Sequence, residues 1–314
     1  MRLWEEAEKI SVFGVELYRF GFFVALGMAA AAAVIAMLSW LKRCEKGTAP
    51  LLTLLSLVLG AFFSRLGFCL LNQELGHMMP LRSWGMITGG GWSMVGVVGG
   101  TMLAAWAAAR LTRQRSGKLL DMAACALPAF LALERIGEDR IPDFDYSRVL
   151  DSTFLNDTFL TFSDYDGYYL ATCRLAALLM PVLFLILIAD MIRNKRDGDT
   201  CLLFLLLFGA VTVLLESLRY DRFLSISFVG LEQILAAVMM LIAIAVLAKR
   251  GWKRSRGLAI SALIAMFAAA GIAIGLEFAL DRTNMNKLLI YTIYVLVMFT
   301  PAVLALLLRK KADE

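Results

Sequence analysis

The sequence predicts an all-α integral membrane protein that crosses a bilayer about nine times, and three observations lead there. Hydrophobic residues make up 60% of the 314 and charged residues only 18%, against roughly half and a quarter in soluble domains. With a mean hydropathy of +0.74, the chain carries more apolar surface than one soluble core of this size hides. Apolar stretches alternate with short polar ones throughout, and basic residues concentrate in every second polar stretch.

In order, the expected spans are Phe20–Leu41, Pro50–Leu71, Ser93–Ala109, Leu119–Leu133, Tyr169–Ile192, Cys201–Leu218, Phe228–Ala248, Leu258–Leu280 and Leu288–Leu308. Most approach the roughly 20 residues that a helix needs to cross ~30 Å of hydrocarbon. The third and fourth are short and weak, and the Gly-rich approach to the third predicts a broken or re-entrant segment. Irregular backbone at that depth is tolerated only where protein or a water-filled cavity covers it.

Loop charge gives the orientation. The first, third, fifth and seventh connections carry Lys42/Arg43/Lys46, Arg110/Arg113/Arg115/Lys118, Arg193/Lys195/Arg196 and Lys249/Arg250/Lys253/Arg254/Arg256, and the tail adds Arg309/Lys310/Lys311. These are 18 of the 31 Lys and Arg, so this side is expected to be cytoplasmic and the N-terminus outside. The first 15 residues include Glu5, Glu6, Glu8 and Lys9, and the first apolar run is too long for a signal core, so a retained first helix is expected rather than a cleaved signal. Cys44, Cys69, Cys125, Cys173 and Cys201 are scattered without a CxxC, which points to neither a disulfide framework nor a metal site. Gly and Ala runs such as Ala29–Ala33 and Ala268–Ile274 fit close helix packing.

The informative residues are ionisable ones within or beside apolar spans, because a charge near the bilayer centre costs a few kcal/mol and usually lines a polar cavity or pairs. Arg65 lies in the second span, while Asp121, Glu134 and Arg135 bracket the fourth. Arg174 begins the fifth, Glu216 and Arg219 end the sixth, and Gln233 lies in the seventh. Glu134, Arg135, Arg174, Glu216, Arg219 and Gln233 are all expected toward the outer leaflet. Any one of them is accounted for by snorkelling or a structural salt bridge. Together they form a candidate anion site, since guanidinium binds phosphate or carboxylate bidentately.

Three further features are expected on that side. The run Gly89-Gly90-Gly91-Trp92-Ser93-Met94-Val95-Gly96-Val97-Val98-Gly99-Gly100 lets backbone approach a ligand or lets two helices pack tightly. The loop Glu138–Gly167 alternates Asp139, Asp143, Asp145, Asp151, Asp157, Asp164 and Asp166 with Phe144, Tyr146, Phe154, Phe159 and Tyr165. It reads as a solvated cap, because the full spacing of a calcium loop is missing. His77, the sole histidine, lies in an outer loop; otherwise base chemistry at neutral pH falls to a carboxylate.

Several of these segments, in order along the first ~250 residues, resemble the bacterial prolipoprotein diacylglyceryl transferase family. Phe13-Gly14-Val15 through Tyr18-Arg19-Phe20-Gly21 resembles the approach to its first helix. Ala61-Phe62-Phe63-Ser64-Arg65-Leu66-Gly67-Phe68 is similar to its Arg-Leu-Gly-aromatic motif, and Gly90 to Gly100 to its glycine-serine run. Asp121, Pro128, Arg135, Ile136 and Gly137 match its most diagnostic segment. Glu216-Ser217-Leu218-Arg219 is similar to its Glu-x-x-Arg motif, and Gly230 to Leu235 to its Gly-Gln-Ile-Leu stretch.

The resemblance implies a seven-helix core over residues 1–250 with an extracytoplasmic-side site, and an additional two-helix extension over residues 251–314, in a bacterial cytoplasmic (inner) membrane. It implies transfer of a diacylglyceryl group from phosphatidylglycerol, or another anionic phospholipid, to the lipobox cysteine carried by a prolipoprotein signal peptide, forming a thioether and releasing glycerol phosphate. No cofactor, metal or nucleic acid is implied. Arg135 with Arg219 would take the phosphate charge and Glu216 would orient an arginine. Arg65, Gly90, Gly91, Ser93, Gly96, Gly137, Glu138, Asp143 and Gln233 would form the substrate-binding set, the glycines lining the lipid path.

The chain departs from the family pattern at Val95 (histidine there), Phe20 (tyrosine), Glu138 (asparagine) and Thr212 (arginine), while Arg140, Arg174 and Arg222 lie nearby in sequence. Three readings stand at this point: a divergent transferase of this kind, a lipid-handling transferase with changed donor or acceptor, and a non-catalytic membrane binding or transport protein. Against the last, there is no inverted repeat or pair of broken helices.

Overall fold

In hydrocarbon the backbone N–H and C=O groups of a long apolar stretch find partners only in their own helix, and the chain folds accordingly. A computed structural model describes residues 9–12, 14–71, 92–139, 146–149, 156–164, 167–193, 196–219, 225–226, 229–283 and 285–313. Among them are nine helices: α1 (Arg19–Leu41), α2 (Thr48–Leu71), α3 (Met94–Leu111), α4 (Ser116–Glu138), α5 (Thr172–Arg193), α6 (Asp199–Leu218), α7 (Leu231–Gly251), α8 (Arg256–Arg282) and α9 (Lys287–Asp313). All but α4 are long and apolar enough to cross a membrane. The chain is an all-α integral membrane protein.

Each expected span corresponds to one helix; the fourth, expected short, runs from Ser116 to Glu138, beyond Leu119–Leu133 at both ends, and two others start three residues late. The fifth begins at Thr172 rather than Tyr169, because Gly167–Ala171 (β5) forms a sheet with Thr161–Asp164 (β4) and Tyr146–Val149 (β3) in the order β3-β5-β4. The Tyr168-Tyr169-Leu170 run suits a strand better than a first helical turn. The seventh begins at Leu231 rather than Phe228, because Val229–Gly230 pairs with Ser225–Ile226. A further hairpin, Lys9–Val12 (β1) with Val15–Tyr18 (β2), leads into α1 and puts Gly14 at φ 82°, a backbone region open to glycine. The broken approach expected before α3 lies outside the described residues.

Two compact units emerge: Met1–Cys201 with Arg219–Asp221, and Leu202–Leu218 with Arg222–Glu314. In the first, α4 packs against α1, α3 and α5, and α2 packs against α1 and α3. Most of α4, including Leu119, Met122 and Leu131, is buried. Neighbouring helices rather than lipid surround α4, which is why a helix holding Asp121, Glu134 and Arg135 is tolerated.

Glycines set how closely these helices approach. A Cβ on Gly96 would lie 2.5 Å from the Phe63 carbonyl oxygen and 2.7 Å from Ser64 Cα, and one on Gly100 would meet the Leu59 carbonyl oxygen. The backbones of α2 and α3 therefore touch. Gly27 of α1 faces the Phe130 carbonyl of α4, and Gly137 of α4 faces Phe20 and Phe23 of α1. At the other end of α4, Asp121 accepts the backbone N–H of Gly198 and of Cys201, each at 2.7 Å. It thereby satisfies donors left open at the start of α6. In the second unit, α7, α8 and α9 pack on one another, and Leu206, Met240, Ile244, Met266, Met298 and Leu308 are among the residues of a continuous core.

Candidate active site

In the first unit, the C-terminal end of α4 meets the N-terminal ends of α1, α3 and α5, and there the buried charges gather. Arg135 sits in the last turn of α4 with its side chain 8% exposed. Its Nη1 pairs with Glu138 Oε2, one helical turn on. Its Nε lies 3.5 Å from Glu134 Oε2, and its Nη2 lies 3.7 Å from Met94 Sδ at the start of α3. Glu134 and Glu138 are 16% and 14% exposed. The charge of Arg219 also reaches Glu138. One guanidinium between two carboxylates, with a second arginine in electrostatic range, forms a compact, largely desolvated charge cluster.

The adjoining start of α3 is held by serines. Ser64 Oγ of α2 donates to the Ser93 carbonyl at 2.9 Å, and Ser93 N–H donates to the Ser64 carbonyl at 3.2 Å. Ser93 Oγ in turn accepts the N–H of Gly96 at 3.1 Å, capping α3 as serine does best. Arg65, next to Ser64, is buried, with its guanidinium 5.7 Å from the Phe68 ring and 6.0 Å from the Trp92 ring. Arg65 and Arg135 thus approach α3 at Trp92 and Met94, two residues apart.

A second constellation locks the same end of the unit. Asp139 Oδ1 accepts from Arg174 Nε at 2.8 Å, and Asp139 Oδ2 lies 3.6 Å from Arg19 Nη2. Arg19 also donates to the Ile136 carbonyl at 3.4 Å, placing a cation at the C-terminus of α4 where the helix dipole favours it. Arg174 Nη1 donates to the Phe159 carbonyl at 2.8 Å, and its guanidinium stacks 4.3 Å from the Phe162 ring. Part of the loop read as a solvated cap is therefore a sheet fastened by Arg174. Sequence reasoning noted Arg174 and Asp139 separately and missed Arg19 as their partner. The available signal was an arginine just before the first span and an aspartate just after the fourth.

The predicted residues divide as follows. Arg65, Ser93, Gly96, Arg135, Gly137, Glu138 and Arg219 belong to the first unit, where Arg135 and Glu138 meet directly and Gly96 and Gly137 sit at close helix contacts. Glu216 and Gln233 belong to the second, Glu216 buried in the last turn of α6 and Gln233 in the first turn of α7. Gln233 Oε1 accepts the Gly230 N–H at 2.8 Å, while Nε2 donates to the Val213 carbonyl at 3.2 Å and to Glu277 Oε1 at 2.8 Å. Its amide is thus engaged at both ends. Gly90, Gly91, Asp143, His77, Arg140 and Arg222 lie outside the described residues. At the positions that depart from the family pattern, Val95 and Thr212 are buried and Phe20 packs on Gly137.

No curated protein matches the chain at a significant level. The family model described as prolipoprotein diacylglyceryl transferase matches residues 8–249, more than three quarters of the 314. The match takes in both constellations and stops within α7, leaving α8 and α9 beyond it. The chain therefore belongs to the prolipoprotein diacylglyceryl transferase family, a membrane transferase family of lipoprotein biosynthesis.

Proposed function

We propose that the chain transfers a diacylglyceryl group from phosphatidylglycerol to the lipobox cysteine of a prolipoprotein, in a bacterial inner membrane, with its N-terminus outside and the reaction near the outer leaflet. The observation that carries this reading is Arg135 itself: a buried guanidinium at the end of a protein-covered helix, between Glu134 and Glu138 and beside the serine-capped start of α3.

The reaction breaks the carbon–oxygen bond between the diacylglyceryl carbon and the phosphate and forms a carbon–sulfur bond. The cysteine thiol loses a proton, since the thiolate is the nucleophile, and glycerol phosphate departs with the electron pair. Fixed cations aimed at the departing phosphate lower that barrier. Arg135 takes this role with Arg219 as helper, and Glu216 orients an arginine. Glu134 and Glu138 hold Arg135 in place until phosphate competes for it, and one of these carboxylates takes the thiol proton. Arg65 and Ser93 contact the lipid headgroup near Trp92, and Gly90, Gly91 and Asp143 complete the substrate-binding set. Gln233, its amide taken by Gly230, Val213 and Glu277, holds the start of α7. Gly96 and Gly137 shape the lipid path by letting α3 and α4 pack closely on α2 and α1. Residues 1–250 supply the core of the enzyme and 251–314 an extension to it.

Complementation tests this reading. A bacterium depleted of its own transferase and expressing this chain is expected to regain thioether-linked diacylglyceryl on its lipoproteins by mass spectrometry. Expression at the membrane without any such adduct contradicts it. Full rescue by Arg135→Ala contradicts the assigned role of Arg135.

A further inference from the structure

Beyond the family match, α8 and α9 carry polar groups into the second unit at the end where α6 finishes and α7 begins. Glu277 is 1% exposed. A carboxylate so placed in a membrane helix is costly unless it is paired or functional. Its Oε1 accepts from Gln233 Nε2 at 2.8 Å and from Tyr294 Oη at 3.2 Å. A carboxylate only accepts, so Glu277 imposes one orientation on the Gln233 amide, with Nε2 toward Glu277 and Oε1 toward the Gly230 N–H. The second Nε2 proton then reaches the Val213 carbonyl of α6. Independently, Tyr291 Oη of α9 donates to the Ser217 carbonyl at 3.2 Å, one of the last four carbonyls of α6, which have no partner within their own helix.

Both anchors fall on the stretch that carries Glu216 and leads into Arg219. Thr212, where the family resemblance places an arginine, is buried, and among the described residues its hydroxyl has no hydrogen-bond partner. Two of the groups that tie this stretch down, Glu277 acting through Gln233 and Tyr291 directly, come from helices outside the matched residues. A family-sized core would leave Ser217 without the Tyr291 contact and the Gln233 amide, which reaches Val213, without Glu277 to orient it.

We propose that Glu277 and Tyr291 are positioning residues: they fix the last turn of α6 and the first turn of α7, so that the two C-terminal helices are a working part of this transferase rather than an appendage. The proposal rests on the transferase reading for its catalytic consequence, while its structural part stands alone. Neither residue touches the reacting atoms; each acts through the backbone that presents Glu216 and Arg219.

The full-length protein in phosphatidylglycerol vesicles, with Tyr291→Phe, Glu277→Gln and Glu277→Ala as variants, provides the test. Backbone hydrogen exchange over residues 212–233 is expected to rise about fivefold in Tyr291→Phe, the effect of one lost hydrogen bond, and more in Glu277→Ala. With a lipobox peptide as acceptor, kcat is expected to fall by about tenfold or more in Glu277→Ala, because a displaced segment misplaces its charges, while KM for the peptide stays unchanged. Glu277→Gln, which can still accept from Gln233, recovers most of that rate. Unchanged exchange in both Tyr291→Phe and Glu277→Ala overturns the anchoring. Raised exchange with an unchanged kcat overturns the positioning role. A wild-type chain that forms no thioether counts against the transferase reading, and the exchange data still decide the anchoring. Should Glu277→Ala fail to fold, Tyr291→Phe, which removes a single oxygen, decides the question.

Discussion

Replacing Arg135 with alanine separates catalysis from mere structure, provided it is done in two backgrounds. The guanidinium stands between Glu134 and Glu138, all three side chains at most 16% exposed. Alone, Arg135→Ala leaves two carboxylates facing each other in a poorly solvated place. Removing one partner from a buried ionic cluster costs about 3–5 kcal/mol, so the single variant is expected to lose stability as well as activity. Neutralising one carboxylate in the same chain, Arg135→Ala/Glu138→Gln, removes the nearer of the two orphaned charges and is expected to restore about half of that loss. Catalysis should not follow. A fixed cation at a departing phosphate is worth a factor of about 10² to 10³ in kcat, and neither alanine nor glutamine supplies one. The assay pairs thermal unfolding in detergent with mass spectrometry of a lipobox peptide incubated in phosphatidylglycerol vesicles. Recovery of stability without recovery of thioether formation is the expected result. If the double variant regains transfer together with stability, Arg135 is a structural ion-pair partner and the catalytic reasoning is refuted.

Other consequences follow from the packing. In Gly96→Ala the new methyl would meet backbone atoms of Phe63 and Ser64 that cannot rotate away, so the thermal midpoint should fall by an amount equivalent to about 1–3 kcal/mol; an unchanged midpoint means that α2 and α3 are not in backbone contact. Asp121→Asn leaves one of the Gly198 and Cys201 N–H groups facing an amide nitrogen in either orientation, at a cost of about 1–3 kcal/mol, seen as faster hydrogen exchange at the start of α6. Asp139→Ala leaves Arg19 and Arg174 without their shared carboxylate. It should cost about 3 kcal/mol and expose the β4–β5 hairpin to protease, and unaltered cleavage there contradicts the fastening role given to Arg174.

The membrane helices were legible because hydrocarbon leaves so few alternatives: long apolar runs become helices, and each expected span has one. Only the edges moved: the fourth helix extends beyond Leu119–Leu133 at both ends, and two starts fall later, at Tyr169 and Phe228, where short strands pair before the helix begins. Hydropathy cannot register such strands, since two to four residues of pairing carry too little periodicity to stand out beside a span. The charges were legible individually, as residues that membrane helices seldom contain. Their partners were not, because pairing depends on which helices become neighbours: Arg19 and Asp139 are 120 residues apart, and only the packing of α1 on α4 joins them. The glycine run was ambiguous on sequence alone, and Gly96 and Gly100 sit at close helix packing. Gln233 was read as a substrate contact from its motif; that its amide is occupied by Glu277, 44 residues on, required the arrangement of helices beyond the motif-bearing segment.

The most direct measurement is on the purified chain in vesicles of phosphatidylglycerol labelled in its diacylglyceryl part, given a peptide with a single lipobox cysteine. The account predicts that label moves onto the peptide through a base-stable thioether, with one glycerol phosphate released per adduct. An enzyme of the same family, run in the same vesicles as a positive control, should behave alike. If the control labels the peptide and this chain, folded and membrane-inserted, transfers nothing, the central claim is wrong.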